Sequence, residues 1–186
     1  MKDKNKEFGT QPSFVGDKIF LRAVTVDDIA NFHLWLLQNE PQTRSCRPYP
    51  IQSAAEATEA FRKREPSTNR EFFAIVRKKD KVPVGKISYF DYNSLNRSAE
   101  LGLLIDPDEQ KKGHGNEAIR LLVKYLFRQR GFNKVYAQTA AFNKGAIKLL
   151  ESLKFSKDAT LRDHYFHDGE FHKGLIYSLL LYEFDW

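Results

Sequence analysis

Residues 101–122 read LGLLIDPDEQKKGHGNEAIRLL, and the reading of this stretch decides the rest. The end of an apolar strand, Ser98 to Ile105, runs into an acidic turn, then Gln-Lys-Lys-Gly-His-Gly, then a strongly amphipathic helix. In that helix Ala118, Ile119, Leu122, Val123, Leu126 and Phe127 recur at helical spacing, and Gly131 stands where a left-handed C-terminal cap belongs. Gly113 and Gly115 let backbone N–H groups come close to a ligand. The helix N-terminus adds unpaired donors and partial positive charge, so the segment predicts an anion cradle. Lys111 and Lys112 beside it are point charges suited to a pyrophosphate.

Working outward, Lys18–Ala23 reads as a strand, and Thr25–Gln38 as a helix with Asp27 and Asp28 in its first turn, where they suit the helix dipole. Asn39–Gln52 holds three prolines and is read as a long binding-site loop, followed by a helix over Ser53–Arg64. Strand-type stretches at Glu71–Arg77, Val82–Tyr92 and Ser98–Ile105 are separated by short polar turns and predict an antiparallel meander. After the central helix come a short strand (Lys134–Thr139), a helix (Asn143–Leu153) and a hairpin (Arg162–Tyr182) turning at Asp168-Gly169. This order predicts an α+β sheet covered by helices on both faces. A single domain over residues 14–186 is expected, preceded by a flexible tail over residues 1–13.

Composition narrows the function classes. The 186 residues are 41% hydrophobic and 29% charged, the balance of an ordinary globular protein. Cys46 is the lone cysteine, so no internal disulfide can form, and no Cys/His spacing suits a metal site; a cytoplasmic protein without metal is expected. No apolar run approaches the length of a membrane helix. The formal charge of +6 permits an anionic partner without naming it.

By itself, Gly-x-Gly before a helix also fits a plain strand-to-helix turn with solvated lysines. A nucleotide P-loop is excluded because no Gly-Lys-Ser/Thr follows the glycines. The dinucleotide fingerprint, which Gly113, Gly115 and Ala118 satisfy, fails on its context: seven residues intervene after Ile105, and Lys134–Thr139 carries no acid. Gln110 to Gly115 instead resembles the acyl-CoA loop of the GNAT superfamily, Gln/Arg-x-x-Gly-x-Gly/Ala. The resemblance extends to IFLRAVTVDDI (residues 19–29), VGKISYFDYN (84–93), Asn143-x-x-Ala146 followed by LLESLKF, and LRDHYFHDGEFHKGLIYSLL (161–180). It covers residues 17–183, and the last stretch is similar to the subgroup of ribosomal-protein alanine and spermidine acetyltransferases.

The resemblance implies a GNAT fold, a mostly antiparallel mixed sheet of about seven strands, and an enzyme that moves an acetyl group from acetyl-CoA directly to a primary amine. It implies that Leu103, Leu104 and Ile105 run alongside the pantetheine arm, that Gln110, Lys111, Lys112, Gly113, His114 and Gly115 hold the pyrophosphate, and that Asn143 bonds the arm. Asn143 is equally read as an ordinary helix N-cap. An alkyl ammonium has no lone pair, so a base is needed, and Glu100 takes that role by the same resemblance. The sequence departs from the family where a leaving-group acid belongs: Leu150 stands for the usual Tyr and Ala146 for the alternative Ser, leaving Tyr136, Ser152 or water.

The acceptor site is expected from Asn39–Pro50, Tyr89–Asn93 and Arg162–His172, whose aromatics and carboxylates suit a cationic amine: a protein N-terminus, a polyamine or another small amine. A homodimer stays open, and no membrane partner is expected. Two rivals are kept: an acyl-CoA-binding relative without catalysis, motivated by Leu150 and Ala146, and a nucleic-acid module using Lys111, Lys112, Lys124, Arg128 and Arg130.

Overall fold

The computed structural model describes residues 12–38, 52–64 and 70–186, so the expected tail, but for its last two residues, and nearly all of the Asn39–Gln52 segment lie outside the described residues. In chain order the elements are β1 (Phe14–Val15), β2 (Ile19–Ala23), α1 (Val26–Gln38), α2 (Ala54–Arg62), β3 (Arg70–Arg77), β4 (Pro83–Asn93) and β5 (Ser98–Ile105). Then follow α3 (His114–Arg128), β6 (Lys134–Ala140), α4 (Lys144–Ser152), β7 (Ser156–His167) and β8 (Glu170–Leu180).

The strands form one open sheet in the order β1-β2-β3-β4-β5-β6-β8-β7, antiparallel except for β5 beside β6. It has eight strands, one more than expected. The addition is the two-residue β1, too short to carry a period of its own. It is held by the Ser13 N–H on the Leu21 carbonyl at 2.6 Å and by the Phe14 ring against Phe73 and Tyr125. Strand β7 starts at Ser156, earlier than the hairpin expected from Arg162. As an edge strand exposed along most of its length, it has no alternating pattern to announce it. The hairpin turn falls at Asp168-Gly169 as expected, with positive φ at both residues, the geometry that matches strand twist.

Helix α3 buries its predicted stripe, Ala118, Ile119, Leu122, Val123, Leu126 and Phe127, against one sheet face. Each large apolar side chain there contributes on the order of 1.5–3 kcal/mol. Gly131, at φ 67, turns the chain so that the Phe132 N–H reaches the Leu126 carbonyl at 3.0 Å. The other face holds a smaller core of Phe20, Phe32, Trp35, Ala74 and Val76, with Leu104 packed on it. Its anchor is Asp28, which does more than face the helix dipole: the nearly buried carboxylate accepts both Arg22 guanidinium nitrogens, at 2.6 and 2.8 Å, and the Thr25 N–H at 2.8 Å. Helix α2 opens on a reciprocal cap, Glu56 N–H to Ser53 Oγ and Ser53 N–H to the Glu56 carboxylate.

Candidate active site

The site grows from one break in the sheet. Strands β5 and β6 pair over three positions only, Ser98, Ala99 and Glu100 against Lys134, Val135 and Tyr136. Beyond Glu100 they part: β5 continues along β4 as far as Gly85↔Ile105, while β6 continues along β8 alone. Among the described residues, Gly102 to Leu104 therefore have a strand neighbour on the β4 side only, and the other side of their backbone faces a gap. The separation begins beside a bulge, where Asp91 and Tyr92 of β4 lie between the pairs Phe90↔Glu100 and Asn93↔Ser98, with Asp91 at φ 52. A bulge bends and twists its strand, which opens the sheet at that point.

The loop below the gap is built by local bonds. Asp106 accepts the Asp108 N–H at 3.0 Å, a single turn covers Pro107–Glu109, and positive φ at Lys111 and Gly113 reverses the chain into α3. Glu109 ties this loop together, meeting Arg77 at 2.7 Å, Lys112 at 2.9 Å and the His114 ring at 3.2 Å. Burial works to raise its carboxyl, but the hydrogen bonds from Lys112 and Arg77 outweigh that and hold it at about 2. The side chains of Lys112 and His114 are thus turned onto Glu109, and what His114 offers an anion is its main-chain amide.

The two glycines serve different ends. Gly113, at φ 91, caps α3 with no side-chain bond, so the first-turn N–H groups are not covered by a capping side chain. A Cβ built there would meet only Lys18 Nζ, 3.8 Å away. Gly115 is needed for packing: a Cβ would lie 3.1 Å from Leu103 Cδ2 and 3.6 Å from both Ile105 and Leu149, which is how the helix start presses against β5. Lys18 was missed in the sequence because it belongs to the distant β1–β2 turn. That turn is brought to the loop by the Lys18 N–H on the Glu117 carboxylate at 3.0 Å and by Gly16, where a Cβ would collide with Glu117 at 2.0 Å.

Asn143 caps α4, its side-chain oxygen accepting the Ala146 N–H at 3.2 Å, which leaves the carboxamide NH₂ as a donor. Leu150 lies in the main core and Ser152 is tied back to the Leu149 carbonyl at 2.7 Å, so neither presents an acid to the gap. Tyr136 does stand there, paired in register with Glu100 at the last position before the strands part. Its hydroxyl is raised by burial and then by the Glu100 and Asp91 carboxylates, which keeps it protonated at neutral pH. Glu100 itself is 9% exposed.

Tyr89 and Tyr92, expected at the acceptor site, belong elsewhere. Tyr89 is 1% exposed on the α3 side, where Arg130 donates to its hydroxyl at 3.1 Å, and Tyr92 stacks on Phe132. Of the basic residues considered for a nucleic-acid module, Arg128 lies over Phe184 and Arg130 bonds both Tyr89 and Tyr125.

An open mixed sheet with one splayed parallel pair, and an uncapped Gly-led helix at its foot, is the arrangement that the resemblance to the GNAT superfamily implied. The chain belongs to the GNAT acetyltransferase family, whose domain model matches residues 18–156. It is 32% identical over 120 residues to the uncharacterized N-acetyltransferase p20 of Bacillus licheniformis, covering 64% of this chain and 66% of that protein. To the spermidine N(1)-acetyltransferase of Vibrio cholerae it is 26% identical over 162 residues, covering 84% of this chain and 90% of that one. Among solved structures, the Vibrio cholerae spermidine N-acetyltransferase in complex with CoA and spermine superposes with a TM-score of 0.82 at 23% identity, over 90% of this chain and 98% of that one. Among the described residues no helix is long and apolar enough to cross a membrane.

Proposed function

We propose that this chain is an acetyl-CoA-dependent N-acetyltransferase that passes the acetyl group directly to a primary amine. The observation that carries the reading is the parting of β5 from β6 immediately past Glu100, with the uncapped start of α3 at one end of the gap and a carboxylate beside a phenol at the other. The residues present fit the cofactor: the backbone of Gly102–Leu104 offers an unshared strand edge, Gly113 leaves room at the helix start, and Asn143 keeps its carboxamide NH₂ as a donor at the start of α4.

The cofactor supplies an activated thioester. Glu100 takes a proton from the bound amine, freeing the lone pair that attacks the acetyl carbon. Main-chain N–H groups of β5 donate to the carbonyl oxygen as charge develops on it. Tyr136 would give its proton to the departing sulfur and be reprotonated, through solvent, by the second proton that the nitrogen sheds as the amide forms. In this reading a residue on β6 does the work that the absent α4 tyrosine does in relatives, which favours catalysis over a merely acyl-CoA-binding role. Protein N-termini, polyamines and other small amines are the acceptor classes. The test is thiol release from acetyl-CoA with purified protein and an amine panel. Thiol release that depends on an added amine supports the proposal, and binding of acetyl-CoA without any release refutes it.

A further inference from the structure

The face of the sheet that carries Glu100 is ordered by register into rows. Arg70, Phe90, Glu100 and Tyr136 lie in one line across β3, β4, β5 and β6; Phe72, Ser88 and Gly102 form the next; Ala74, Lys86 and Leu104 the one after. Three cations converge on the Phe72 ring: Arg64 at 5.0 Å from its centroid, Arg70 at 5.8 Å and Lys86 at 5.6 Å. Arg70 also lies over Phe90, and Lys86 over Phe32. Among the described residues none of the three makes an ion pair with a carboxylate, whereas Arg22, Arg77, Arg130 and Lys134 all do. Burial, and then the neighbouring Arg70 charge, lowers Lys86 from its ordinary value, the mark of a cation with too few compensating charges around it. Among the described residues Asp28, on this same side of the sheet, is taken up by Arg22, while Glu100 and Asp91 stand at the other end of the row, beside Tyr136.

The site is therefore polarised, with carboxylates where the amine reacts and cations further off, Arg70 two strands across and Lys86 one strand across and four residues along. We propose that the acceptor is an amine whose own molecule carries a carboxylate or phosphate within roughly 10 Å of the reacting nitrogen, the two strand spacings from Glu100 to Arg70, with Arg70 and, further along the face, Lys86 as the groups that hold the anion. Gly102, in the row next to that of Glu100, lies close against its neighbours: a Cβ there would lie 2.8 Å from Ser88 Oγ and 3.1 Å from Phe90. A polyamine placed on this face would set a second ammonium against three cations, so the acceptor differs from that named for the spermidine N(1)-acetyltransferase relatives. The inference rests on the N-acetyltransferase reading and narrows it.

The test is a panel of matched amines with acetyl-CoA and the full chain: L-methionine against L-methioninamide, glucosamine 6-phosphate against glucosamine, and spermidine. The anionic member of at least one pair is expected to show kcat/KM tenfold or more above its neutral partner, with spermidine poorest. Arg70→Gln, at an exposed position, should raise KM for the favoured acceptor about tenfold while leaving kcat, the KM for acetyl-CoA and turnover of the neutral partner unchanged; Lys86→Met should act likewise. Equal or better use of the neutral members or of spermidine overturns the inference and leaves the enzyme reading standing, as does an unchanged KM in Arg70→Gln. If no amine is acetylated, calorimetric binding of the same pairs in the presence of CoA decides. Anion-selective binding that Arg70→Gln abolishes upholds the cation site while the enzyme reading fails, and unselective binding overturns the inference too.

Discussion

Two regions border the gap beyond Glu100, and they are assembled in opposite ways. The loop from Asp106 to Gly113 is made of consecutive residues that bond to one another, with Asp106 on Asp108 and Glu109 on both Lys112 and His114. The Arg70–Phe72–Lys86 face is made of residues from separate strands, joined only by register, with α1 pressed on it through Phe32. Apart from Arg77 reaching over to Glu109, the loop keeps its shape from its own sequence, whereas a face depends on every strand and helix that frames it. Changes at the face should therefore be felt in folding and acceptor use, and changes at the loop in cofactor affinity.

The largest effect expected is on the frame of the face. Replacing Asp28 by Asn leaves Arg22 charged and nearly buried without its carboxylate, a loss of about 3–5 kcal/mol of stability, read by urea unfolding at neutral pH. Burial by itself would raise Asp28, but the Arg22 guanidinium and the Thr25 amide outweigh it and hold the carboxyl below its ordinary 3.8. A folded value below the unfolded one means this stability is fully present above about pH 4 and disappears as pH falls through the folded value. The difference between wild type and Asp28→Asn should accordingly narrow below pH 4. A gap that stays constant into that acid range would show that the pair does not anchor the face.

Next in size is the chemistry itself. Glu100→Gln keeps the side-chain shape and, if Glu100 is the base proposed above, should cut turnover by ~10²-fold or more while leaving acetyl-CoA affinity nearly unchanged. Full activity in this variant would remove Glu100 from the mechanism. Tyr136→Phe should cost about tenfold. It should also change the pH profile: a phenol raised by burial and by Glu100 and Asp91 stays protonated well into the alkaline range, so wild type should lose kcat only above the ordinary tyrosine region, and that limb should vanish in the Phe variant. An alkaline limb that survives the substitution assigns the proton to another donor.

How much of this was legible follows from the same contrast. Strand β5 and helix α3 were readable because an apolar strand, a Gly-containing turn and a period of 3.6 residues sit next to each other in the chain. The face was not. Tyr89, Phe90 and Tyr92 look like one aromatic cluster in the sequence, but alternation sends Phe90 to the Glu100 side and Tyr89 to the core, and the bulge at Asp91 then turns Tyr92 onto Phe132. Arg70 and Lys86 belong to no motif in the sequence; strand register alone places them on the row lines that run to Glu100 and Leu104.

Lys18 tests the comparison at its weakest point, because, like Arg77 on Glu109, it reaches the loop from far away in sequence. Its amine lies where a side chain on Gly113 would point, and the turn that carries it is held by the Glu117 carboxylate, one turn into α3. If a pyrophosphate rests on the first amides of that helix, Lys18→Gln removes one nearby cation and should weaken acetyl-CoA binding a few-fold, about 0.5–1 kcal/mol for an exposed charge. The loss should shrink as salt is raised past the point where screening reaches a few ångströms. Turnover at saturating cofactor and KM for the amine should not move. Affinity equal to wild type at low salt would mean that the loop binds its anion through local residues alone, making the division between a self-contained loop and a register-built face complete.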